Sequence, residues 1–234
     1  MNILEIKDVS KSFDGKKIVD DVSFNIEQGK IVGLLGKKGS GKTTIIKMIN
    51  DLLTVDSGSI LIDGQKISEK TKAVVSYLPE RTYLESDQKV LDVFNFFQDF
   101  YNDFDRPKAE KLLKDLDLDL NASLSKMSKG MKEKIQLILV MSRKAKLYIL
   151  DEPLGGVDPA TRDYIMQTIL SNFGDDSSLL ITTHLISDIE KILDDVIFID
   201  KGKVVLNSNA DKLRAKEKLS IDEIFRRKVR WLKN

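Results

Sequence analysis

Apolar positions along the chain follow two periods, one typical of strands and one typical of helices. Residues 3–6 and 18–24 alternate apolar and polar side chains around an Asp14-Gly15 pair, which is a hairpin signal. This pattern predicts a small antiparallel sheet near the N-terminus. Further apolar-rich runs of strand length lie at residues 31–35, 73–78, 147–150 and 179–181. Because they alternate with helical segments, they predict a mostly parallel sheet covered on both faces, and therefore an α/β fold.

From residue 85 to about residue 143 the pattern is helical. Five of the ten phenylalanines lie between residues 94 and 104. Phe94, Phe97, Tyr101 and Phe104 share one helical face. The first interpretation is the core of an inserted α-helical subdomain, residues 85–143, within a single domain spanning 1–234. The alternative is that some of these rings line a groove for a helix of another protein.

A glycine-rich segment joins the apolar run at 31–35 to a helical run at 45–49. It reads Gly36-Lys37-Lys38-Gly39-Ser40-Gly41-Lys42-Thr43-Thr44. A loop between a strand and a helix N-terminus points successive N–H groups at an anion. The spacing is typical of the phosphate-binding loop of a P-loop NTPase, in which the lysine reaches the β- and γ-phosphates and the following threonine ligates Mg²⁺. We therefore predict a nucleotide site here, with Lys42 and Thr43 in those two roles.

The overall composition excludes some classes of partner. The chain has 38 basic and 37 acidic side chains, so its net charge of +1 gives no long-range attraction to nucleic acid or to an anionic membrane. It has no cysteine, which excludes disulfides and thiolate metal sites. Its start lacks a secretory-signal pattern, and its apolar runs are far shorter than the ~20 residues that span a bilayer. We expect a soluble or peripheral protein without a nucleic-acid partner.

Polar side chains follow two of the predicted strands. Asp151 and Glu152 come directly after the run at 147–150, and His184, the only histidine, follows the run at 179–181. Ligands of open α/β sheets bind at the carboxyl ends of the strands, where these side chains are expected. Two acids before a proline can also mark a helix start, and a single histidine can be structural. Residue type alone leaves these alternatives open.

Taken together, the separated motifs resemble the nucleotide-binding subunit of an ATP-binding-cassette transporter, and the resemblance covers essentially the whole chain. Residues 147–152 resemble the apolar strand of that family that ends in two carboxylates, and Gly156-Val157-Asp158 resembles its coupling loop, with Asp158 as the matched acid. The signature position of the family, Leu-Ser-Gly-Gly-Gln, is occupied by Ser128-Lys129-Gly130-Met131-Lys132. Ser128 and Gly130 match, whereas Lys129 and Lys132 replace a glycine and the glutamine.

The resemblance implies an ATPase that uses ATP and Mg²⁺. Glu152 would be the general base, and His184 and Lys42 would contact the γ-phosphate. Phe13 falls where the family stacks an aromatic ring on adenine, although a core position is the alternative. Mg²⁺ ligands would come from Thr43, Asp151 and Glu80; Glu80 stands where the family has a glutamine, and a carboxylate can still ligate the metal or its water. ATP would lie on residues 36–44.

The same resemblance implies partners and a location. Two ATPase subunits, identical or homologous, would close around two ATP molecules, with residues 128–132 of one chain meeting the ATP held by the other. A separate membrane permease subunit would hold the pair at the cytoplasmic face of the membrane, and the motif variants are similar to those of bacterial exporters of drugs, peptides or antimicrobial agents. The alternative is a soluble cassette ATPase acting on ribosomes or DNA. A GTPase is disfavoured because the Asn-Lys-x-Asp sequence is missing.

Overall fold

The computed structural model describes residues 1–85, 87–174 and 176–231, with side chains as far as residue 228. The strands are β1 (Asn2–Phe13), β2 (Lys16–Glu27), β3 (Ile31–Gly36), β4 (Ser57–Ile62), β5 (Gln65–Lys66), β6 (Val75–Leu78), β7 (Leu147–Asp151), β8 (Ser178–Thr183), β9 (Asp195–Asp200) and β10 (Lys203–Asn209). The helices are α1 (Lys42–Ile49), α2 (Glu69–Ala73), α3 (Val90–Phe100), α4 (Arg106–Lys114), α5 (Lys129–Met141), α6 (Pro159–Asn172), α7 (Ile186–Ile189), α8 (Ala210–Glu217) and α9 (Ile221–Trp231). Within these residues, none of the helices combines the length and the apolar character that a membrane crossing needs.

The N-terminal sheet is antiparallel, with the strand order β2-β1-β4-β5. The predicted hairpin joins β1 to β2, and both Asp14 and Gly15 have positive φ, as a tight hairpin turn requires. The inward side chains of β1, β2 and β4 are buried together with those of α1. The sheet therefore packs against the helix that follows the phosphate-binding loop.

The second sheet contains six strands in the order β10-β9-β3-β8-β7-β6. All neighbouring pairs are parallel except β10 with β9. Leu147 and Ile149 of β7 face one core, which includes α1, whereas Tyr148 and Leu150 face another, which includes α5 and α6. Both faces of β7 are thus covered, and the predicted α/β fold with a mostly parallel sheet is confirmed.

A third apolar core lies among α3, α4 and α5. Phe94 and Phe97 are buried in it, and Tyr101 and Phe104 pack against it, so the ring face predicted from the sequence lies inward. Phe96, on the opposite side of α3, is exposed. The boundaries 85–143 for an inserted subdomain stay a prediction.

Arg143, just after α5, connects this helical segment to the parallel sheet. Its buried guanidinium donates hydrogen bonds to the carbonyl oxygens of Ala73 and Val75, each at 2.6 Å. It also pairs with the Asp103 carboxylate at 2.9 and 3.1 Å and lies 3.9 Å from the centre of the Tyr101 ring. One side chain therefore holds α3, the end of α5 and the start of β6 in a fixed relation.

Candidate active site

The phosphate-binding loop leaves β3 at Gly36 and enters α1 at Lys42. A Cβ on Gly36 would lie 2.4 Å from Ser40 Oγ and 2.6 Å from the carbonyl oxygen of Ile199, so a larger residue would displace the backbone. Gly41, which precedes the helix, has a φ of +107° and lies close to the carbonyl oxygen of Ile18. These two glycines are required because the loop turns tightly against β2 and β9.

Lys42 is the first residue of α1, and its side chain is buried under the loop. The ammonium donates a hydrogen bond to the carbonyl oxygen of Gly36 at 2.8 Å and lies 3.3 Å from Glu152 Oε1. Only 5% of the residue is exposed. The charge is therefore fixed in position between the loop and the end of β7, where a phosphate group could compete for it.

Asp151 ends β7 and is almost completely buried. Its Oδ1 accepts a hydrogen bond from the Thr182 hydroxyl at 2.6 Å and lies 3.5 Å from the Thr43 hydroxyl. Oδ2 is buried and finds no hydrogen-bond partner within the described part of the chain. Burial is the main cause that raises the pKa of this carboxyl group, and the hydrogen bond from Thr182 opposes the shift.

This donor set fits Mg²⁺. A buried carboxylate oxygen that no described residue contacts by a hydrogen bond, next to a threonine hydroxyl, offers the hard oxygen atoms that this cation prefers. The described residues contain no group of three or more His, Cys, Asp or Glu side chains that could hold a metal on their own.

Glu152 and His184 form a hydrogen-bonded pair beside Lys42. Glu152 Oε2 lies 2.8 Å from His184 Nδ1 and accepts a hydrogen bond from the His184 backbone N–H at 3.2 Å. The backbone N–H of Glu152 donates to the Thr182 hydroxyl at 2.9 Å, and its φ of +52° is unusual for a residue with a side chain. The backbone turn after β7 thus directs Glu152 towards the end of β8 and the start of α1.

These side chains border a cleft of about 440 Å³ at the carboxyl ends of the parallel strands. The sequence-predicted residues that line it are Lys38, Gly39, Gly41, Lys42, Thr43, Thr44, Glu80, Lys129, Glu152 and His184. Ile18, Arg81, Gly155 and Gly156 complete the lining. Asp151 lies beneath it, within hydrogen-bond range of Thr43. The fold thus brings the two carboxylates, the lysine and the histidine to one place.

The signature residues begin α5, and the acid of the predicted coupling loop begins α6. Ser128 Oγ accepts a hydrogen bond from the Met131 N–H at 3.2 Å and so caps α5. Asp158 caps α6 by accepting from the N–H of Thr161 at 3.0 Å and from its hydroxyl at 2.7 Å, and these bonds lower the pKa of Asp158. In the described structure Ser128, Gly130, Met131, Lys132 and Asp158 lie outside the cleft lining, whereas Lys129 is part of it.

Phe13 lies at the end of β1, next to the hairpin turn. The residue is 42% exposed, which favours a platform over a core position. Lys11 Nζ lies 5.6 Å from the ring centre. In the described structure the cleft lining reaches Ile18 on the facing strand but does not include Phe13.

Two polar side chains of this site, Thr182 and Arg81, are not predicted by the sequence patterns. Thr182 bonds both Asp151 and the backbone of Glu152, and it lies directly opposite Asp151 in the β7–β8 register. A hydroxyl two residues before His184 was the available signal, but its role depends on that register. Arg81 lines the cleft beside Glu80 and gave no recognisable pattern.

Similarity to known proteins agrees with this geometry. The family model described as "ABC transporter" matches residues 19–155. The ABC transporter ATP-binding protein YtrB of Bacillus subtilis (strain 168) is 31% identical over 215 residues, which cover 91% of this chain and 74% of YtrB. The lantibiotic transport ATP-binding protein SrtF of Streptococcus pyogenes is 28% identical over 232 residues, covering 97% of this chain and 100% of SrtF.

A solved structure of an ATP-binding subunit of an ABC transporter superposes with a TM-score of 0.86 and 26% identity, covering 95% of this chain and 98% of the other. The chain belongs to the ABC transporter family. It is an ATP-binding and ATP-hydrolysing subunit of that family, and the resemblance noted from its motifs is confirmed.

Proposed function

We propose that the cleft binds Mg-ATP and that Glu152 activates the water that cleaves it. One observation carries the proposal: Lys42, the Glu152–His184 pair and a buried Asp151 oxygen that has no partner among the described residues meet at the carboxyl end of the parallel sheet. Nucleotide sites of α/β folds lie at that edge.

Different groups of the chain bind the phosphates and the metal ion. Backbone N–H groups of residues 36–44 surround the phosphates, and Lys42 exchanges its contacts with Gly36 and Glu152 for phosphate oxygens. Buried Ser40 Oγ, which has no hydrogen-bond partner in the described residues, is a further donor inside the loop. Thr43 and Asp151 would hold Mg²⁺, and Glu80, which lines the cleft, would bind one of its waters. When bound there, Mg²⁺ would neutralise part of the negative charge on the phosphates.

Glu152 and His184 then act on the attacking water. When phosphate takes Lys42, Glu152 Oε1 loses its cationic neighbour and can accept a proton from water. His184 holds Oε2 through both its ring and its backbone N–H, which keeps the carboxylate aimed at the cleft. His184 is itself half exposed, so its ring can also reach the terminal phosphate. Phe13 would stack on the adenine at the outer end of the cleft.

A second ATPase subunit completes each site in this proposal. Ser128 and Gly130 lie at the exposed or half-buried start of α5, outside the cleft of their own chain. The N-terminus of α5 presents backbone N–H groups that can bind the γ-phosphate of ATP held by a partner. Asp158, at the start of α6, accepts a hydrogen bond from the Thr161 hydroxyl, and this hydroxyl lies beside Gly130. Asp158 would therefore couple the two sites.

A separate membrane subunit is the second partner. A groove of about 550 Å³ lies between the parallel sheet and the helical segment, and its apolar walls include Leu52, Tyr83, Phe96 and Tyr101. Exposed Phe100 stacks on Phe96 at its edge, with ring centres 5.1 Å apart. We assign this groove to a helix of the membrane subunit, and in this proposal the chain would lie at the cytoplasmic face of the membrane.

We propose export as the direction of transport, from the motif variants and from the similarity to a lantibiotic transport protein. SrtF carries the name of a lantibiotic transport protein and matches this chain from end to end. The cargo itself would be selected by the membrane subunit, since the cleft of this chain is built for phosphate.

Replacement of Glu152 tests the catalytic assignment. Glu152→Gln keeps the shape and removes the base, so turnover of Mg-ATP should fall roughly 10²–10⁴-fold while ATP still binds. The steady-state ATPase rate and equilibrium ATP binding are measured side by side, with Glu217→Gln on α8 as the matched control. An unchanged rate in Glu152→Gln would remove this residue from the role of base.

A further inference from the structure

Lys129 occupies an unexpected position for a signature residue. It is the first residue of α5, yet it lines the nucleotide cleft of its own chain together with Lys42 and Glu152. A Cβ built on Gly156 would lie 3.7 Å from Lys129 Nζ, so the ammonium lies over the loop that follows Glu152. The neighbouring Ser128 and Gly130 lie outside the cleft lining of the described structure. Among the described residues 128–132, Lys129 is the one that lines the site of its own chain.

The charges around the cleft suit a polyphosphate that reaches this lysine. Cations on its lining are Lys38, Lys42, Arg81 and Lys129, against the carboxylates Glu80 and Glu152. Lys38 and Lys42 belong to the phosphate-binding loop, whereas Arg81 and Lys129 come from other segments. A phosphate chain that starts on the loop and ends beside Glu152 therefore brings its last phosphate towards Lys129.

Glu133, which pairs with Lys129 in the structure, would compete only weakly with a phosphate for the Lys129 ammonium. Glu133, one turn along α5, lies 3.6 Å from the ammonium, longer than the 2.7–2.9 Å that is typical of a charge-assisted hydrogen bond. Burial raises the pKa of Glu133, which disfavours its charged form. The Lys129 side chain is also 73% exposed, so it can turn towards a phosphate without breaking core packing.

We infer that Lys129 contacts the terminal phosphate of ATP bound in its own chain, so that a single subunit prefers ATP to ADP before two subunits close. This inference rests on the nucleotide site proposed above. It differs from the role of Ser128 and Gly130, which meet the nucleotide of the partner. The signature helix would then respond to the bound nucleotide within one chain, and closure of the pair would follow.

The test is a comparison of ATP and ADP affinity in the monomer. Wild type, Lys129→Ala and Lys126→Ala are titrated with each nucleotide without Mg²⁺, at protein concentrations where sedimentation gives a monomer. Lys126 is an exposed lysine just before α5 and serves as the matched control. We expect Lys129→Ala to weaken ATP binding about 3- to 10-fold, to leave ADP binding within about 2-fold, and Lys129→Arg to restore the preference.

The outcomes separate this inference from the proposed function. If Lys129→Ala and wild type bind ATP equally as monomers and differ only in dimer formation, Lys129 acts solely on the partner and the inference is wrong. If ATP and ADP lose affinity equally, the contact is not to the terminal phosphate, which also overturns it. If wild type binds neither nucleotide, the proposed site itself fails. Unchanged thermal unfolding without nucleotide verifies that the variants fold.

Discussion

The two walls of the nucleotide cleft differ in how firmly their charges are held. On the wall formed by strand ends, Lys42 is 5% exposed and Asp151 only 1%, and each is fixed by contacts to backbone or hydroxyl groups. On the wall formed by α5, Lys129 has a side chain that is 73% exposed and held by one long ion pair. The first wall is thus organised in advance for phosphate and metal. The second can adjust to what is bound.

The largest expected effect on stability comes from removing Arg143, the residue that attaches the wall formed by α5 to the rest of the fold. Arg143→Met removes the guanidinium that joins the end of α5 to the Asp103 carboxylate and to the carbonyl oxygens of Ala73 and Val75. Because buried polar groups lose their partners, we expect the free energy of unfolding to fall by about 3 kcal/mol. Chemical denaturation measures it, with exposed Arg226→Met, which also loses an ion pair, as the control.

A loss below about 0.5 kcal/mol is expected for that control, since surface ion pairs contribute little. Equal losses in the two variants would contradict the view that Arg143 holds the helical wall in place. A two-step unfolding curve in Arg143→Met would sharpen the comparison, because it would show that the wall built from α3, α4 and α5 can unfold before the sheet.

Replacement of Asp151 is expected to have a smaller effect on stability, and of opposite sign. Its carboxylate is buried with one oxygen that lacks a partner within the described residues, so Asp151→Asn should stabilise the nucleotide-free chain by about 1 kcal/mol at neutral pH. The same variant should lose the extra stabilisation that Mg²⁺ gives with ATP. Thermal unfolding with and without Mg-ATP measures both.

The pH dependence has a defined sign. Because the folded-state pKa of Asp151 is raised, its contribution to stability is present below the unfolded-state pKa and is lost as the pH rises through the folded-state value. The advantage of Asp151→Asn over wild type should therefore grow from acidic to neutral pH. A constant difference across that range, or a less stable variant, would contradict the assigned environment.

Much of the first wall could be predicted from the sequence. The apolar run at 31–35, the glycine spacing and the acids after 147–150 are all local signals, and each lies where the predicted parallel sheet requires. Thr182 could not be predicted, because its role follows from the register that places it opposite Asp151. Local patterns specify elements, whereas partners across strands depend on tertiary structure.

Two further differences between the sequence-based prediction and the structure have similar causes. The strand predicted at 73–78 begins only at Val75, because residues 69–73 form α2, whose start is fixed by reciprocal hydrogen bonds between Ser68 and Thr71. Arg143 gave no signal in the sequence, because its partners lie about 40 and 70 residues away along the chain. The cleft-facing position of Lys129 depends in the same way on how α5 packs against α6 and the loop after β7.

The most direct test of the account is the affinity of Mg-ATP for Lys42→Met compared with wild type, measured by titration calorimetry. Lys47→Met, on the same helix but at the groove, is the matched control. Loss of a charge-assisted contact to phosphate predicts affinity weakened roughly 10- to 100-fold in Lys42→Met and unchanged in Lys47→Met. Equal affinities in Lys42→Met and wild type would contradict the claim that the strand-end wall binds the phosphates of ATP.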